Sequence, residues 1–556
     1  MDGEPQSLID KVLLLLFVHE KKILPSPKGC TQSMKFRPLV LAAMFVLSVC
    51  PPSTHAQTIP LQTATIQQLD AELAAGRLTS VQLVRFYLQR IRRLNKTGPA
   101  LHAIIAINPD AIAEAQASDR ERRQRRPRSP LEGIPILIKD NIETADPMAT
   151  TAGSLALADN ITHRDSPLVA RRRAAGAIIL GKTNLSEWAD LRSGQATSGW
   201  SAVGGLARNP YALDRSACGS SSGSGVAVAA GLAAAAVGTE TDGSITCPSS
   251  MNGLTGLKPS VGQIPRTYVV PIAHSQDTPG PIARTAADAA LMMAVMSGPD
   301  PRDPASLDHG AVPGPAFSTV TPANLRGVRL GVLRFANDSV PIIDPAYNAA
   351  LARLSAAGAV LVEVKLPDQP KIETDELLVL ETEMKVDLSA YLRGAAPGLT
   401  VRSLADLIAF NQRTPAELHL FGQDLFVASQ ATKGLDDPAY LSARAESLRL
   451  TGAEGIDKLL QDNHLDALVA PTTGPTWKMD FVYGDTNPAA FTTFPAIAGY
   501  PHLSTPMGTV HGLPVGLSII GPKWSDAKVL ALGEAWQAIS PPVPPPTFPA
   551  TVDPAP

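Results

Sequence analysis

CGSSSGSGVAVAAGLAAAAVGTETDGSITCPSSMNGLTGLK, residues 218–258, joins two serine-bearing glycine loops through one small, apolar run. Residues 226–237 are almost all Ala, Val, Leu or Gly, and a segment that is apolar all round is typical of an enclosed helix. The flanking GSSSGSG and TETDGSI place hydroxyl groups on a backbone that glycine allows into unusual conformations. Such loops can present N–H groups and a nucleophile to a ligand. The stretch therefore predicts a buried helix between two active-site loops.

Three other interpretations of the Gly/Ser run stay open. A flexible linker joins polar or dissimilar segments, whereas this run leads straight into the apolar segment. A phosphate cradle of the P-loop type needs a Lys after its last Gly, and GSSSGSGV has none. The third interpretation is plain turn chemistry without a function.

The order of motifs along the chain resembles the amidase signature family. The serine loops and the residues between them match its signature at Gly219, Ser220, Ser221, Gly238, Thr239, Asp242, Gly243, Ser244 and Ile245. LEGIP, IPILIKDNIETAD and GKTNLSEWA precede the loops in the family's order, and GLKPSVG, SQDTPGPIARTAADAA and GYPHLSTPMGTVHGLPVGLSIIG follow them. The resemblance covers residues 65–535. It implies an α/β fold, an α/β/α sandwich with a large central mixed sheet covered by helices.

The resemblance also assigns a catalytic triad of Lys139, Ser220 and Ser244. In the family's arrangement the Lys is the base, the first Ser sits on a cis peptide bond and relays the proton, and the second Ser attacks the amide carbonyl. Ammonia then leaves, and water cleaves the acyl-enzyme. The oxyanion would be held by the backbone N–H groups of Thr241, Asp242, Gly243 and Ser244. No cofactor and no metal are expected.

A lysine can act as a base only when it is neutral. Burial beside uncharged hydroxyls lowers a lysine pKa from about 10.4 toward neutrality. Each pKa unit costs about 1.4 kcal/mol of folding free energy, so such a lysine indicates a function. A Ser-His-Asp arrangement has only scattered candidates such as His274, because none of the ten histidines stands in the serine loops.

The sequence departs from the family's commonest pattern within the serine loops. Ser222 and Asp242 stand where Gly is usual, Glu240 where Asp is usual, and Thr246 where Arg is usual. The combination of CGSSSGSG with TETDGSITCP nevertheless resembles the peptide amidase branch, which removes the C-terminal amide of peptides and spares internal peptide bonds. That selectivity needs a leaving-group pocket only wide enough for NH₂.

We therefore expect a serine amidohydrolase that releases ammonia from C-terminally amidated peptides or related primary amides. One alternative is a broad-specificity acylamidase acting on aryl or fatty amides. A second, from another class, is a catalytically inactive binding protein of the same fold. The glutaminase-like subunit of a tRNA amidotransferase shares the signature, but the predicted export described below argues against it.

Size and charge exclude several classes of protein. The chain has 556 residues, 44% of them hydrophobic and 18% charged, which is a globular balance. A net charge of −3 gives no overall footprint for nucleic acid, so no nucleic-acid partner is expected. The one basic run, RERRQRRPR at 120–128, is typical of a solvated helix end and loop.

Four cysteines, at positions 30, 50, 218 and 247, are too few for a disulfide scaffold and wrongly spaced for a zinc ribbon. Cys218 lies two residues before Ser220, and Cys247 lies three residues after Ser244. A fold that brings those serines together would also bring the thiols together. A disulfide between Cys218 and Cys247 is therefore a hypothesis that geometry must test.

The N-terminal region has the pattern of a secretory signal. Residues 34–56, MKFRPLVLAAMFVLSVCPPSTHA, show a basic start, an apolar stretch and a Thr-His-Ala ending, which predicts cleavage after Ala56. Translation would then begin at Met34 instead of Met1. The upstream KVLLLLFV is too short to span a membrane, so no stable span is expected. We expect an exported protein, periplasmic or secreted.

The remaining chain alternates helix and strand patterns, which favours an α/β sandwich. Helices are predicted within 65–95 and over 111–123, 286–296 and 345–357, with strands in ALHAIIAIN, GIPILIKD, RLGVL, VLVEV and LDALVAP and a strand pair in GYPHLSTP and GLPVGLSIIG. GAIILGKT at 176–183 matches a P-loop literally, but its apolar centre predicts a buried strand. Nucleotide binding is therefore not expected.

These patterns divide the chain into three parts. Residues 1–56 form an N-terminal extension with the signal peptide, residues 57–540 the amidase domain, and residues 541–556 a Pro-rich disordered tail that cannot sustain helix or sheet. Within the domain, the helix-rich region 377–456 is the natural place for substrate-specific surface, including Tyr391 and Phe421. Ordinary packing is the alternative for each of these two side chains.

Overall fold

A computed structural model describes residues 59–308, 310–335, 339–367, 370–486 and 489–553. All of them belong to one compact unit, Thr58–Pro556. The predicted signal peptide and the two candidate starts, Met1 and Met34, lie outside the described residues, so these remain predictions.

A mixed sheet forms the centre of this unit. Its strands are β1 (Ile104–Ile107), β2 (Pro135–Lys139), β3 (Ile178–Thr183), β6 (Ala235–Glu240), β7 (Thr255–Lys258), β8 (Thr278–Ala283), β9 (Arg329–Val332), β10 (Val360–Glu363), β11 (Ala467–Pro471), β12 (His502–Val510) and β13 (Leu513–Ile520). Among the described residues these 11 strands follow the order β1-β3-β2-β6-β8-β7-β12-β13-β11-β9-β10. Strands β4 (Trp200–Ser201) and β5 (Gly205–Leu206) form a separate small sheet.

Parallel and antiparallel pairs alternate in blocks across the large sheet. Strands β3, β2 and β6 run parallel to one another, as do β11, β9 and β10, and antiparallel pairs connect the two blocks. Every residue of β2, β3 and β6 is buried, which is typical of strands covered on both faces. The expectation of an α/β fold with a large central mixed sheet is confirmed.

Helices surround the sheet. They are α1 (Ile66–Ala74), α2 (Ser80–Leu94), α3 (Ala111–Arg123), α4 (Pro167–Ala174), α5 (Ser222–Ala229), α6 (Thr246–Met251), α7 (Ala286–Met296), α8 (Gly314–Phe317), α9 (Asp344–Ala356), α10 (Ile372–Arg393), α11 (Leu404–Arg413), α12 (Pro415–Leu418), α13 (Asp424–Ala431), α14 (Pro438–Thr451), α15 (Asp457–Asp462), α16 (Thr493–Ala498) and α17 (Asp526–Ile539). The helices predicted within 65–95 and over 111–123 and 286–296 are present, and 377–456 is helix-rich as predicted.

The predicted single helix over 226–237 is wrong. Helix α5 begins earlier, at Ser222, and ends at Ala229, and the second half of the apolar run is strand β6. Gly231, with φ of 68°, stops the helix. Its N–H donates to the carbonyl of Val228 and the N–H of Leu232 donates to the carbonyl of Ala227, the pattern of a Schellman cap. A run that is apolar on every side does not distinguish a buried helix from a buried strand.

The literal P-loop match forms the buried strand that its apolar centre predicts. It is β3, and Lys182 within it is fully buried. The Lys182 ammonium donates to the carbonyl of Ile142 at 2.6 Å and to the hydroxyl of Thr150 at 2.8 Å. Lys182 therefore stabilises the neighbouring loop that contains Ile142 and Thr150.

The basic run at 120–128 covers the last turn of α3 and an exposed loop, as predicted, and Arg128 pairs there with Glu132 at 2.6 Å. Within the described residues, none of the helices combines the length and apolarity needed to cross a membrane.

The proline-rich tail differs from the disordered segment that we expected. Residues 541–553 form no helix or strand, but they lie against the body of the protein. Tyr211 donates its hydroxyl to the carbonyl of Pro544 at 3.0 Å, and the N–H of Leu213 donates to Pro549 at 2.9 Å. Asp553 pairs with Arg215 and with Lys478. Contacts with side chains and backbone thus hold a segment whose composition prevents regular structure.

Candidate active site

Lys139 is the last residue of β2 and is fully buried. Its Nζ lies 2.7 Å from the Oγ of Ser220, 2.9 Å from the Oγ1 of Thr239 and 3.3 Å from the Thr239 carbonyl. Asn141 also donates to the Thr239 hydroxyl, at 2.9 Å. Here the Nζ donates to Ser220 and to Thr239. In its neutral form the amine keeps two N–H donors for Thr239 and gains a lone pair that can accept the Ser220 proton.

The environment favours that neutral form. Burial lowers the pKa of Lys139 to about 7, although the carboxyls of Asp190, Asp277 and Glu240 act in the opposite direction. Desolvation penalises the charged form of the amine, and no carboxylate contacts it directly among the described residues. The lysine is thus poised to exchange a proton near neutral pH.

Ser220 belongs to a loop that packs closely against its surroundings. The Gly219–Ser220 peptide bond is cis, as the resemblance implied. The Ser220 carbonyl accepts the N–H of Ser186 at 3.0 Å. A Cβ at Gly219 would lie 2.1 Å from the Oγ of Ser186, so a larger residue cannot occupy that position without displacing its neighbour.

Ser221 fastens the first serine loop to the second. Its N–H donates to the carbonyl of Ser244 at 3.1 Å. Its hydroxyl donates to the Thr239 carbonyl at 3.0 Å and accepts the Thr239 N–H at 3.2 Å. The two loops and the end of β6 are therefore one connected unit, and sequence reasoning gave Ser221 and Thr239 no role beyond their place in the signature.

The second loop, from Thr241 to Ser244, turns sharply between β6 and α6. Gly243 has φ of 77°, a left-handed conformation that glycine adopts without steric cost. The N–H groups of Asp242, Gly243 and Ser244 form no hydrogen bond with any of the described residues. Ser244 is 7% exposed. The loop thus offers a hydroxyl and unpaired donors at one place.

Glu240 fixes the far end of this loop. One of its carboxylate oxygens accepts the N–H of Ile245 at 2.7 Å and the N–H of Thr246 at 2.8 Å. The Thr246 hydroxyl lies 3.2 Å from the same oxygen. Two of the departures from the family pattern, at positions 240 and 246, are therefore partners in one contact. Burial raises the pKa of Glu240, while Lys258 and these N–H groups oppose the shift.

Asp242, another departure, faces helix α16. Its carboxylate accepts the hydroxyl of Thr493 at 2.7 Å. Burial raises the pKa of Asp242, and hydrogen bonds from Thr492 and Thr493 act against that change. The side chain therefore anchors the second serine loop to α16.

Cys218 and Cys247 form a disulfide with a Cα–Cα distance of 6.0 Å, which confirms the hypothesis from their spacing. Both cysteines are buried and pack with Met251 and Trp477. The bridge connects Cys218, at the start of the first serine loop, to Cys247 in helix α6. Helix α6 directly follows the second serine loop, so the disulfide holds the two loops together.

A cleft of about 440 Å³ opens onto both serine loops. Its walls include Asp190, Gly219, Asp242, Ser244, Cys247 and Asp485. Exposed apolar side chains flank it on the loop that contains Phe481, Val482 and Tyr483, of which Tyr483 also lines the cleft. The cleft offers a small-molecule ligand or a chain end access to Ser244.

A second cavity, of about 460 Å³, is lined in part by Thr239 and Thr241. His274 and Tyr391 line it. The Nδ1 of His274 lies 2.8 Å from the Oδ2 of Asp387, so helix α10 holds the imidazole ring. Tyr391 donates to Glu143 at 2.8 Å and accepts from Asn160 at 3.1 Å.

Phe421 has a packing role. It is 8% exposed, and the guanidinium of Arg192 lies 4.1 Å from its ring centroid. Trp200 meets the same ring edge-on at 5.2 Å. Of the two candidate specificity residues, then, Tyr391 reaches a cavity and Phe421 supports a buried arginine.

Asp190 and Asn141 are site residues that sequence reasoning missed. Asn141 lies two residues after Lys139 in the quoted KDN, and Asp190 lies in the quoted SEWAD. The position of Asn141 just beyond the carboxyl end of strand β2 was the available signal for that residue. The sequence carries no comparable signal for Asp190.

The sequence model described as Amidase matches residues 82–530. The chain belongs to the Amidase family. The amidase is similar to a probable amidase of Arabidopsis thaliana, with 36% identity over 513 residues that cover 90% of this chain and 94% of the relative.

Solved structures give the same assignment for the fold. The native peptide amidase from Stenotrophomonas maltophilia is 48% identical, with a TM-score of 0.83 over 88% of this chain and 99% of that one. The peptide amidase PAM in complex with the competitive inhibitor chymostatin is also 48% identical, with a TM-score of 0.85 over 88% and 100% of the two chains. The resemblance seen in the motifs is confirmed, and the protein is a hydrolase acting on amides.

Proposed function

We propose that this amidase releases ammonia from C-terminally amidated peptides or related primary amides through an acyl-enzyme. The observation that carries the proposal is the 2.7 Å contact between the buried Lys139 amine and the Ser220 hydroxyl. The similarity to solved peptide amidases supports the class of substrate. The two serine loops open on a cleft that can receive the end of a peptide.

In the proposed reaction the neutral amine of Lys139 takes a proton from Ser220, which takes one from Ser244. The Ser244 oxygen attacks the amide carbonyl, and the resulting oxyanion accepts hydrogen bonds from the loop N–H groups of Thr241, Asp242, Gly243 and Ser244. Ser220 then returns a proton to the nitrogen, the C–N bond breaks and ammonia leaves. Water cleaves the acyl-enzyme by the same relay and yields the peptide acid.

A direct test compares a peptide amide with the N-methylamide of the same peptide. We expect ammonia from the first and no methylamine from the second, because the leaving group must fit a site sized for NH₂. Equal cleavage of both would favour a broad-specificity acylamidase. A fluorophosphonate probe should label the wild type and spare Ser244→Ala; absence of labelling in both proteins would favour a binding protein of the same fold.

We also propose that the protein is exported after cleavage of residues 34–56. The pattern of charge and hydropathy in that segment supports this proposal, and the disulfide is consistent with an oxidising compartment. Sequencing the N-terminus of the mature protein tests it: a start at residue 57 is expected, and an intact chain from Met1 would contradict export.

A further inference from the structure

Three consecutive apolar side chains are exposed to solvent beside the catalytic cleft. Phe481, Val482 and Tyr483 are 50%, 82% and 87% exposed. Single exposed apolar residues are common on protein surfaces, but a run of large ones is unfavourable in water and is typical of a surface that binds a partner or a ligand. Tyr483 also lines the cleft that contains Ser244. The exposed run is therefore continuous with the catalytic site.

Hydrogen bonds fix both ends of this run. The Oδ1 of Asp480 accepts the backbone N–H groups of the last two residues of the run, at 2.7 and 3.0 Å. Asp485, just after the run, accepts the N–H of Ser198 at 2.9 Å and the indole N–H of Trp477 at 3.0 Å. Trp477 in turn packs against the disulfide. Because the loop is held before any ligand arrives, less conformational entropy is lost when a ligand covers it.

Leu425 adds a further apolar group to the same cleft. It lies in α13, lines the cleft together with Tyr483 and packs against a buried apolar cluster. Asp424, at the start of α13, and Asp485 both accept N–H groups from the segment 193–198, at 3.0 and 2.9 Å. One segment thus holds both supports in place. We call Leu425 and the exposed run 481–483 the apolar rim.

Charge offers little to a peptide amide in this cleft. The charged side chains that line it are Asp190, Asp242 and Asp485, and among the described residues no Lys or Arg lines it. The amidated end of a peptide is neutral, so these carboxyl groups do not attract it. Burial of apolar surface is therefore the main attraction that the entrance of the cleft provides.

We propose that the apolar rim binds the side chain next to the amidated residue, so that this enzyme selects peptide amides with an apolar residue at that position. This inference rests on the proposed function. Ser244 attacks the C-terminal carbonyl, so the amidated residue occupies the cleft and the chain before it leads outward. A cleft of about 440 Å³ is near the lower end of the range for small-ligand sites, which places the preceding residue at the rim.

The size of the effect follows from the area that the rim can cover. Partial burial of a leucine side chain against apolar groups corresponds to about a tenfold gain in kcat/KM. The rim contains none of the proposed catalytic residues, so its contacts act on the bound substrate and on the transition state alike. Such contacts change KM and leave kcat nearly constant.

The test measures kcat and KM for acetyl-Leu-Ala-amide and acetyl-Gly-Ala-amide. The wild type should prefer the leucine peptide by about tenfold in kcat/KM, mainly through KM. Tyr483→Ser should lower this ratio, and the double variant Val482→Ser/Tyr483→Ser should bring it close to one. Tyr483→Phe keeps the aromatic ring and should keep the preference. Both positions are highly exposed, so these substitutions should leave the fold intact.

Leu441→Ser is the matched control, because Leu441 is also exposed, at 53%, and does not line the cleft. The ratio in this variant should equal that of the wild type. A wild-type ratio near one, or a ratio unchanged in the double variant, would overturn the inference. A wild type that is dimeric on size-exclusion chromatography, with a monomeric double variant of unchanged ratio, would assign the rim to a second copy of the chain instead. A wild type that cleaves neither peptide would count against the proposed function, so the two failures are distinguishable.

Discussion

The Nζ of Lys139 and the Oγ of Ser220 lie 2.7 Å apart, although 81 residues separate them in the chain. Their contact is made where β2 ends beside β6, and it lies in a fully buried environment. The first prediction concerns this pair. Lys139→Met keeps much of the side-chain volume and removes the amine, and kcat for a peptide amide should fall by about 10²–10⁴-fold, the usual contribution of a general base.

The control for that experiment is a folded protein. Circular dichroism and thermal unfolding should show that Lys139→Met is folded, because methionine conserves most of the side-chain volume. Turnover within a factor of about two of the wild type, in a folded variant, would remove Lys139 from the mechanism.

The second prediction concerns the pH dependence of the rate. Lys139 acts as a base when it is neutral, and burial lowers its pKa to about 7. The value of kcat/KM should therefore rise with pH through about 7 and level off above it. Asp190 titrates in the same range, so Asp190→Asn should be measured in parallel. If the rising limb disappears in that variant, the limb belongs to Asp190 and the assignment to Lys139 fails.

The third prediction concerns stability. The pKa of Lys139 is about 7 in the folded protein and near its ordinary value of 10.5 in the unfolded chain. Between these values the unfolded state binds more protons, so the contribution of Lys139 to the free energy of unfolding rises as the pH increases from about 7 to 10.5. Urea titrations at pH 7 and pH 9 should show a smaller increase in stability for Lys139→Met than for the wild type. An equal increase in both proteins would contradict the depressed pKa.

The fourth prediction concerns the contact of Glu240 with the start of α6. Glu240→Ala removes the acceptor of the Ile245 and Thr246 N–H groups and should loosen the loop that carries Ser244. We expect kcat to fall by about tenfold or more, since hydrogen bonds to a charged group contribute about 1.5–3 kcal/mol. Thr246→Val, which removes only the hydroxyl at 3.2 Å, is the matched control and should have a smaller effect. A larger loss in the control would mean that the hydroxyl, not the carboxylate, organises the loop.

The fifth prediction concerns the disulfide. It closes a loop of 29 residues, for which loop entropy predicts a stabilisation of roughly 3–4 kcal/mol. Reductant should lower the urea midpoint of the wild type by a corresponding amount. The variant Cys218→Ser should already show the lower midpoint and should not respond to reductant. A wild type that is insensitive to reductant, with two free thiols at 218 and 247 before treatment, would contradict the bridge.

The sequence predicted local elements better than the contacts between them. Helix α7 and the end of β2 at Lys139 followed from periodicity and flanking residues. The split of 222–240 into α5 and β6 did not, because an apolar run carries no period and only Gly231 marked the break. The contact of Lys139 with Thr239, 100 residues away, depends on the position of β6 next to β2, and hydropathy does not encode the order of strands.

The same limit applies to the site. The two glycine loops could be recognised in the sequence, and the resemblance to the amidase signature family assigned Ser220 and Ser244 within them. The position of Asp190 on the cleft wall depends on three consecutive left-handed residues, Trp188, Ala189 and Asp190. That backbone conformation cannot be predicted from SEWAD. The docked tail was missed for a similar reason: composition excludes helix and sheet, but it does not reveal that Tyr211 and Leu213 provide hydrogen bonds for it.

The bridge between Cys218 and Cys247 makes a covalent ring that contains α5, β6 and both proposed catalytic serines. A protease that cut the chain once inside this ring would leave the two fragments attached to each other. Such a sample would migrate as one species on a gel without reductant and separate into two after reduction. Cleavage of the backbone between Cys218 and Cys247 would thus be detected on a gel only after the disulfide was reduced.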